Sequence, residues 1–103
     1  MLNQKALDTK MLKEKTLYVA TGSGSANVPA NGNAGIAVTI PTVSNYTPIG
    51  ILGVANDHGA HFCITDYHMI DTSSALVVLR NVSSSAQNVT ITCSFLYIIS
   101  TRT

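Results

Sequence analysis

Twelve consecutive residues near the end of the chain alternate without a break. Val89, Ile91, Cys93, Phe95, Tyr97 and Ile99 fall on one side of an extended backbone, and Thr90, Thr92, Ser94, Leu96, Ile98 and Ser100 on the other. A period of two is the repeat of a β-strand and of no helix, so the segment predicts a long strand with one wholly apolar face. Its second face begins polar and turns apolar at Leu96 and Ile98, the pattern of a strand whose far end is covered by another surface. Phe95, Leu96 and Ile98 are therefore the residues expected at an oligomer interface.

The same period recurs upstream in shorter runs. Ile36, Val38 and Ile40 share one face of Gly35–Ile40, and Pro41, which has no amide donor, ends or edges that strand. Pro48–Val54 and Leu76–Val82 are apolar on both faces and are expected as central strands, with Gly50 and Gly53 marking a bend or a close backbone approach. His61–Tyr67 and Leu17–Ala20 add two more, and a brief edge piece at His68–Ile70 would make seven. Between them, Gly22–Asn33 reads as a long flexible connection, Asn56–Gly59 as a tight turn and Ser83–Asn88 as the link between the last two strands. The fold class that follows is all-β, an antiparallel β-sandwich, jelly-roll-like, of about six to eight strands.

Ahead of the strands the composition is different. Leu2, Ala6, Leu7, Met11 and Leu12 form a ragged stripe among lysines, so residues 1–15 are expected as a short N-terminal helical appendage to a sandwich domain of residues 16–103. That segment also holds six of the eleven charged residues. The following 88 residues carry only Asp57, Asp66, Asp71, Arg80 and Arg102, far below the roughly 25–35% charge of a free soluble surface. They hold 28 Ser, Thr and Asn instead, so hydroxyls and amides supply solubility, and burial in an oligomer would account for the rest.

Charge also narrows the partners. A net charge of +1 leaves too few cations to track a phosphate backbone, which points away from nucleic acid. No run approaches the ~20 apolar residues of a membrane-spanning helix, and Met1–Lys5 opens no apolar run of the ~7–15 residues of a secretory leader. Cys63 and Cys93 lack paired CxxC spacing and are expected as small core residues, with a bridge between them left open.

Chemistry is sparse. All three histidines fall in Asp57–His68, where His58, His61 and a carboxylate are candidate metal ligands, although HxxH in a turn matches no established ligand frame. A serine nucleophile elbow and a phosphate loop are both missing: Gly22-Ser-Gly-Ser has neither the strand-to-helix context nor the lysine. The chain is thus expected to bind or build rather than catalyse, with no cofactor. Asn45, Tyr46, Asp66 and Tyr67 are the candidate ligand-binding residues, because an aromatic face beside amide and carboxylate groups suits a saccharide.

A lysine-bearing lead followed by a Ser/Thr/Asn-rich, charge-poor β domain resembles small tail-fibre, baseplate and other virion proteins of bacteriophages and prophages. Tyr46–Val54, Val77–Ser83 and Val89–Tyr97 carry the resemblance. It implies a homotrimeric sandwich on a virion, assembled in the host cytoplasm, that docks onto other virion proteins or offers loops to a host-surface saccharide. A monomeric carbohydrate-binding or adhesin module is the alternative. Some fibre tips hold iron on their axis with HxH pairs, and His58 and His61 stand one step further apart than that.

Overall fold

The computed structural model describes residues 16–100, and over that span the chain is all-β. Six strands follow in order: β1 (Leu17–Val28), β2 (Asn33–Thr39), β3 (Tyr46–Asn56), β4 (Phe62–Met69), β5 (Ser74–Asn81) and β6 (Gln87–Ile99), with a single 3-10 turn at Gly59–His61 before β4. The expected N-terminal helix lies outside the described residues.

The strands form two antiparallel three-stranded sheets, β1-β6-β3 and β2-β5-β4. First pairs with last and second with fifth, while β3 and β4 fill the remaining edges. Only the β4–β5 connection stays within one sheet, and this nested wrapping is jelly-roll-like. The two sheets press together the inward sides of their strands. Val89, Ile91, Cys93, Phe95 and Tyr97 of β6 meet Ala75, Val77 and Leu79 of β5 and Ile36 and Val38 of β2, all buried. The unbroken alternation of β6 therefore does what its pattern requires, and β6 is the centre of its sheet.

Three expectations are corrected. Gly22–Val28 is not a flexible connection: β1 runs on to Val28, fully paired with β6, and only Pro29–Gly32 turns the chain, closed by the Gly32 amide donating to the Pro29 carbonyl at 3.0 Å. Along this stretch Ala20, Gly22, Gly24, Ala26 and Val28 point inward while Thr21, Ser23, Ser25 and Asn27 point outward, a period of two written in small residues. Smallness is required there, because a Cβ on Gly22 or Gly24 would collide with the carbonyl oxygens of Thr39 or Ala37 as β2 crosses over β1.

The second correction concerns β3, which is an edge strand rather than a central one. Its register against β6 slips twice, between Pro48 and Gly50 and between Ile51 and Gly53, leaving Ile49 and Leu52 as exposed extra residues. Gly50 and Gly53 thus mark bulges, with open space around both. The third is that His68–Ile70 forms no separate strand. His68 and Met69 end β4, and Ile70 opens a tight hairpin whose Asp71 Oδ1 accepts from the Ser73 and Ser74 amides at 2.8 and 2.9 Å.

Candidate functional site

Since β6 buries one face completely, its alternate residues build the outside of the β1-β6-β3 sheet. Two pairs lie at one end of it: Leu17 opposite Ile98 and Val19 opposite Leu96. Leu17 is 57% exposed, Val19 53% and Ile98 38%, while Leu96 is half-buried between its neighbours. Four polar pairs continue the ladder: Thr21–Ser94, Ser23–Thr92, Ser25–Thr90 and Asn27–Asn88. The last two are bonded across the strands, Ser25 Oγ to Thr90 Oγ1 at 3.1 Å and Asn27 Nδ2 donating to Asn88 Oδ1 at 2.8 Å. On the β3 side Gly50 and Gly53 stand opposite Leu96 and Ser94, so the edge adds little relief. Among the described residues the six β1–β6 pairs and the β3 residues opposite them carry no ionisable side chain; Asp57, the residue after β3, reaches the Thr90 amide at the polar corner.

Of the three residues expected at an oligomer interface, Leu96 and Ile98 belong to this outer face. Phe95 points the other way and is fully buried in the core of its own chain. Leu17 and Val19, which complete the apolar end, were not singled out by the sequence. Their signal was present in Leu17–Ala20 as a strand, but which face it shared depended on its register with β6.

The candidate saccharide residues are not gathered into one site. Tyr67 has core-side register, opposite buried Val77, yet is 48% exposed because it stands at the seam where β3 and β4 face each other without pairing. There it lines an open groove of about 270 Å³ with Ile49, Gly50, Ile51, His68 and Met69. Asp66 takes the opposite register, on the outside of the β2-β5-β4 sheet, and its carboxylate Oδ2 lies 3.2 Å from His68 Nδ1. Tyr46 lines a second groove, of about 240 Å³, with Pro41, Val43, Pro48 and Thr72. Its ring packs on Tyr18 at 5.4 Å between centroids, and Tyr18 in turn meets buried Tyr97 edge-on at 6.2 Å. Asn45 sits in the turn before β3 with a positive φ of 69° that asparagine tolerates, its carbonyl accepting from the Ser100 amide.

Two of the three histidines, His58 and His61, lie between β3 and β4, near the polar end of the β1-β6-β3 sheet. Asp57 Oδ1 accepts from the Thr90 amide at 2.9 Å and lies 2.9 Å from His58 Nδ1; these two contacts, the amide first, hold the Asp57 carboxyl below its ordinary range. His61 Nδ1 stands 2.9 Å from Gln87 Oε1, and the two imidazoles are 6.3 Å apart. The described residues hold no group of three or more His, Cys, Asp or Glu side chains placed to share a metal ion. His58 and His61 are thus paired with a neighbouring acid and amide, not converged on one point.

The cysteines divide. Cys93 is buried in the core, which pushes its thiol pKa up, whereas Cys63 is exposed on the outside of β4, contrary to the expectation that both fill the core; both are free thiols. Compared with protein-family models, with curated proteins and with solved structures, the chain has no match.

Proposed function

We propose that this chain is a homo-oligomeric structural protein of a bacteriophage or prophage particle, of the tail-fibre or baseplate kind, building the virion rather than catalysing a reaction. One observation carries the oligomeric part. The 85 described residues hold four charged side chains, Asp57, Asp66, Asp71 and Arg80, while Leu17, Val19, Ile49, Leu52 and Ile98 stand among the large apolar groups left on the outside. A free monomer has no use for such a surface, and in an assembly it is covered. The particle class rests on the composition and strand style already described. In this reading three copies associate, other virion proteins are the neighbours, and the loops reach a host-surface saccharide.

A second reading, a monomeric carbohydrate-binding or adhesin module, draws on Tyr67, whose half-exposed ring flanks an apolar groove in the way a sugar-stacking tyrosine would. Light scattering behind size exclusion separates the two. A mass near three times 10.9 kDa is expected. A clean monomer that binds glycans, and loses them on Tyr67→Ala, would replace the assembly reading with the module.

A further inference from the structure

We infer that the outer face of the β1-β6-β3 sheet is the surface through which one copy of this chain packs against another, an inference that rests on the oligomeric reading and gives it a location. Three features of the face select a second copy over a foreign partner. The first is charge. Around a symmetry axis like side chains meet, so an ionisable face would meet itself with repulsion, and the six β1–β6 pairs carry no ionisable side chain, the nearest being Asp57 at the polar corner, where it accepts from the Thr90 amide.

The second is extent. With strands about 4.8 Å apart and a rise of about 3.3 Å per residue, three strands over the twelve residues of β1 present a face on the order of 14 by 40 Å. Three such surfaces turned toward one axis bury about 1,700 Å² in all, within the range of a specific interface, whereas the apolar ends alone would supply about a third of it. The whole face is therefore covered, its hydroxyl and amide end included.

The third is the state of that polar end. Ser25 and Thr90, and Asn27 and Asn88, already bond to each other within the sheet, so covering them strands fewer donors and acceptors than covering four separate groups would. The interface then joins an apolar end to a hydrogen-bonded one.

The test is the solution mass of the full chain and of four single variants, with folding of each checked by circular dichroism. Val19→Lys and Ile98→Lys place a charge on the apolar end at positions already half-exposed, and Ser23→Lys does so at the polar end. Tyr67→Lys, at the seam between the sheets, is the control. The three face variants are expected to fall to 10.9 kDa while Tyr67→Lys keeps the parental mass. A parental oligomer that survives all three face charges overturns this interface and leaves the oligomeric reading standing. Survival in Ser23→Lys alone overturns apposition of the whole face. A monomeric parent overturns both the interface and the oligomer, and a loss of thermal stability in monomeric Val19→Lys would then hand the face to a segment of the same chain.

Discussion

Asn81 is the one buried polar side chain of the described core, and every polar atom it has is used. Its Nδ2 donates to the Val28 carbonyl at 3.0 Å and to the Ser85 carbonyl at 2.9 Å, while its Oδ1 accepts from the Ser83 amide at 2.9 Å and the Ser83 hydroxyl at 2.7 Å. One residue thereby ties the end of β1 to the loop that leads into β6. Nothing aliphatic can replace it, since removal takes the acceptor from the Ser83 amide and a donor from each of the Val28 and Ser85 carbonyls, the latter keeping the Ser83 hydroxyl at 2.9 Å. Asn81→Ala is expected to cost about 2–4 kcal/mol in denaturant unfolding, more than the ~1 kcal/mol of a single neutral bond. Asn81→Asp keeps the acceptor but turns a carboxylate toward two carbonyl oxygens, so it should be more damaging at pH 7 than at pH 4, where the acid can protonate and donate. Equal stability of Asn81→Asp at both pH values would show that the loop relaxes away from the side chain.

At the scale of the element, β1 is where composition misleads and period informs. Gly22-Ser-Gly-Ser has the residues of a linker, yet its inward glycines sit under the Thr39 and Ala37 carbonyls with no room for a methyl group. Replacing glycine by alanine in a strand ordinarily gains about 0.5–1 kcal/mol from lost unfolded-state freedom. Gly24→Ala is expected to reverse that sign, losing about 1–3 kcal/mol because β2 must be displaced, while Gly53→Ala, which meets only open space, should be neutral or stabilising. A stabilised Gly24→Ala, measured by thermal unfolding beside Gly53→Ala, would mean that β2 does not cross β1 this closely. The same contrast explains what the sequence discloses. The strand of Val89–Ser100 and the inward set Ile36, Val38 and Ile40 are legible because large apolar groups mark the period, and the Asn56–Gly59 turn because Gly59 takes a φ of +56°. The extension of β1 is written in the same period but with Ala and Gly against Ser and Thr, so hydrophobicity barely varies along it. Likewise the edge position of β3 and the half-exposed state of Tyr67 depend on which strands neighbour them, and two-faced apolarity reads as burial whether a sheet or a solvent-facing bulge supplies it. The candidate site suffers most from this, for Tyr46 and Tyr67 are similar residues in sequence and line separate grooves in space.

The molecule as a whole is a sandwich shut along one side and parted along the other. On the shut side β2 rests on the glycines of β1; across the core the Tyr97 hydroxyl donates to the Pro41 carbonyl at 2.6 Å and clasps β6 to the loop leaving β2. On the parted side β3 and β4 run past each other unpaired. This arrangement sets how the fold answers to pH. Burial first, and the neighbouring Tyr18 second, raise the Tyr97 phenol above its ordinary value, and burial raises the Cys93 thiol. A raised group binds its proton more tightly when folded, so its contribution is fully present below the ordinary value and is lost as pH climbs past it, from about pH 9 upward. Asp57 and Asp71 are depressed by hydrogen bonds, the first chiefly through the Thr90 amide and the second chiefly through the Ser73 hydroxyl. Their contributions are present above the ordinary carboxylate value and fade as pH falls below about 4. Stability should accordingly be level with respect to these four groups between those limits and decline on both sides. Tyr97→Phe separates the two effects of one hydroxyl. At pH 7 it is expected to lose about 1 kcal/mol with the bond to Pro41, yet its alkaline decline should be shallower than that of the parent above about pH 10, because a phenylalanine has no proton to give up. Denaturant midpoints followed by circular dichroism from pH 3 to pH 11 test this. A Tyr97→Phe curve that runs parallel to the parent through the alkaline limb would assign that limb to Cys93 alone, and Cys93→Ala should then delay it.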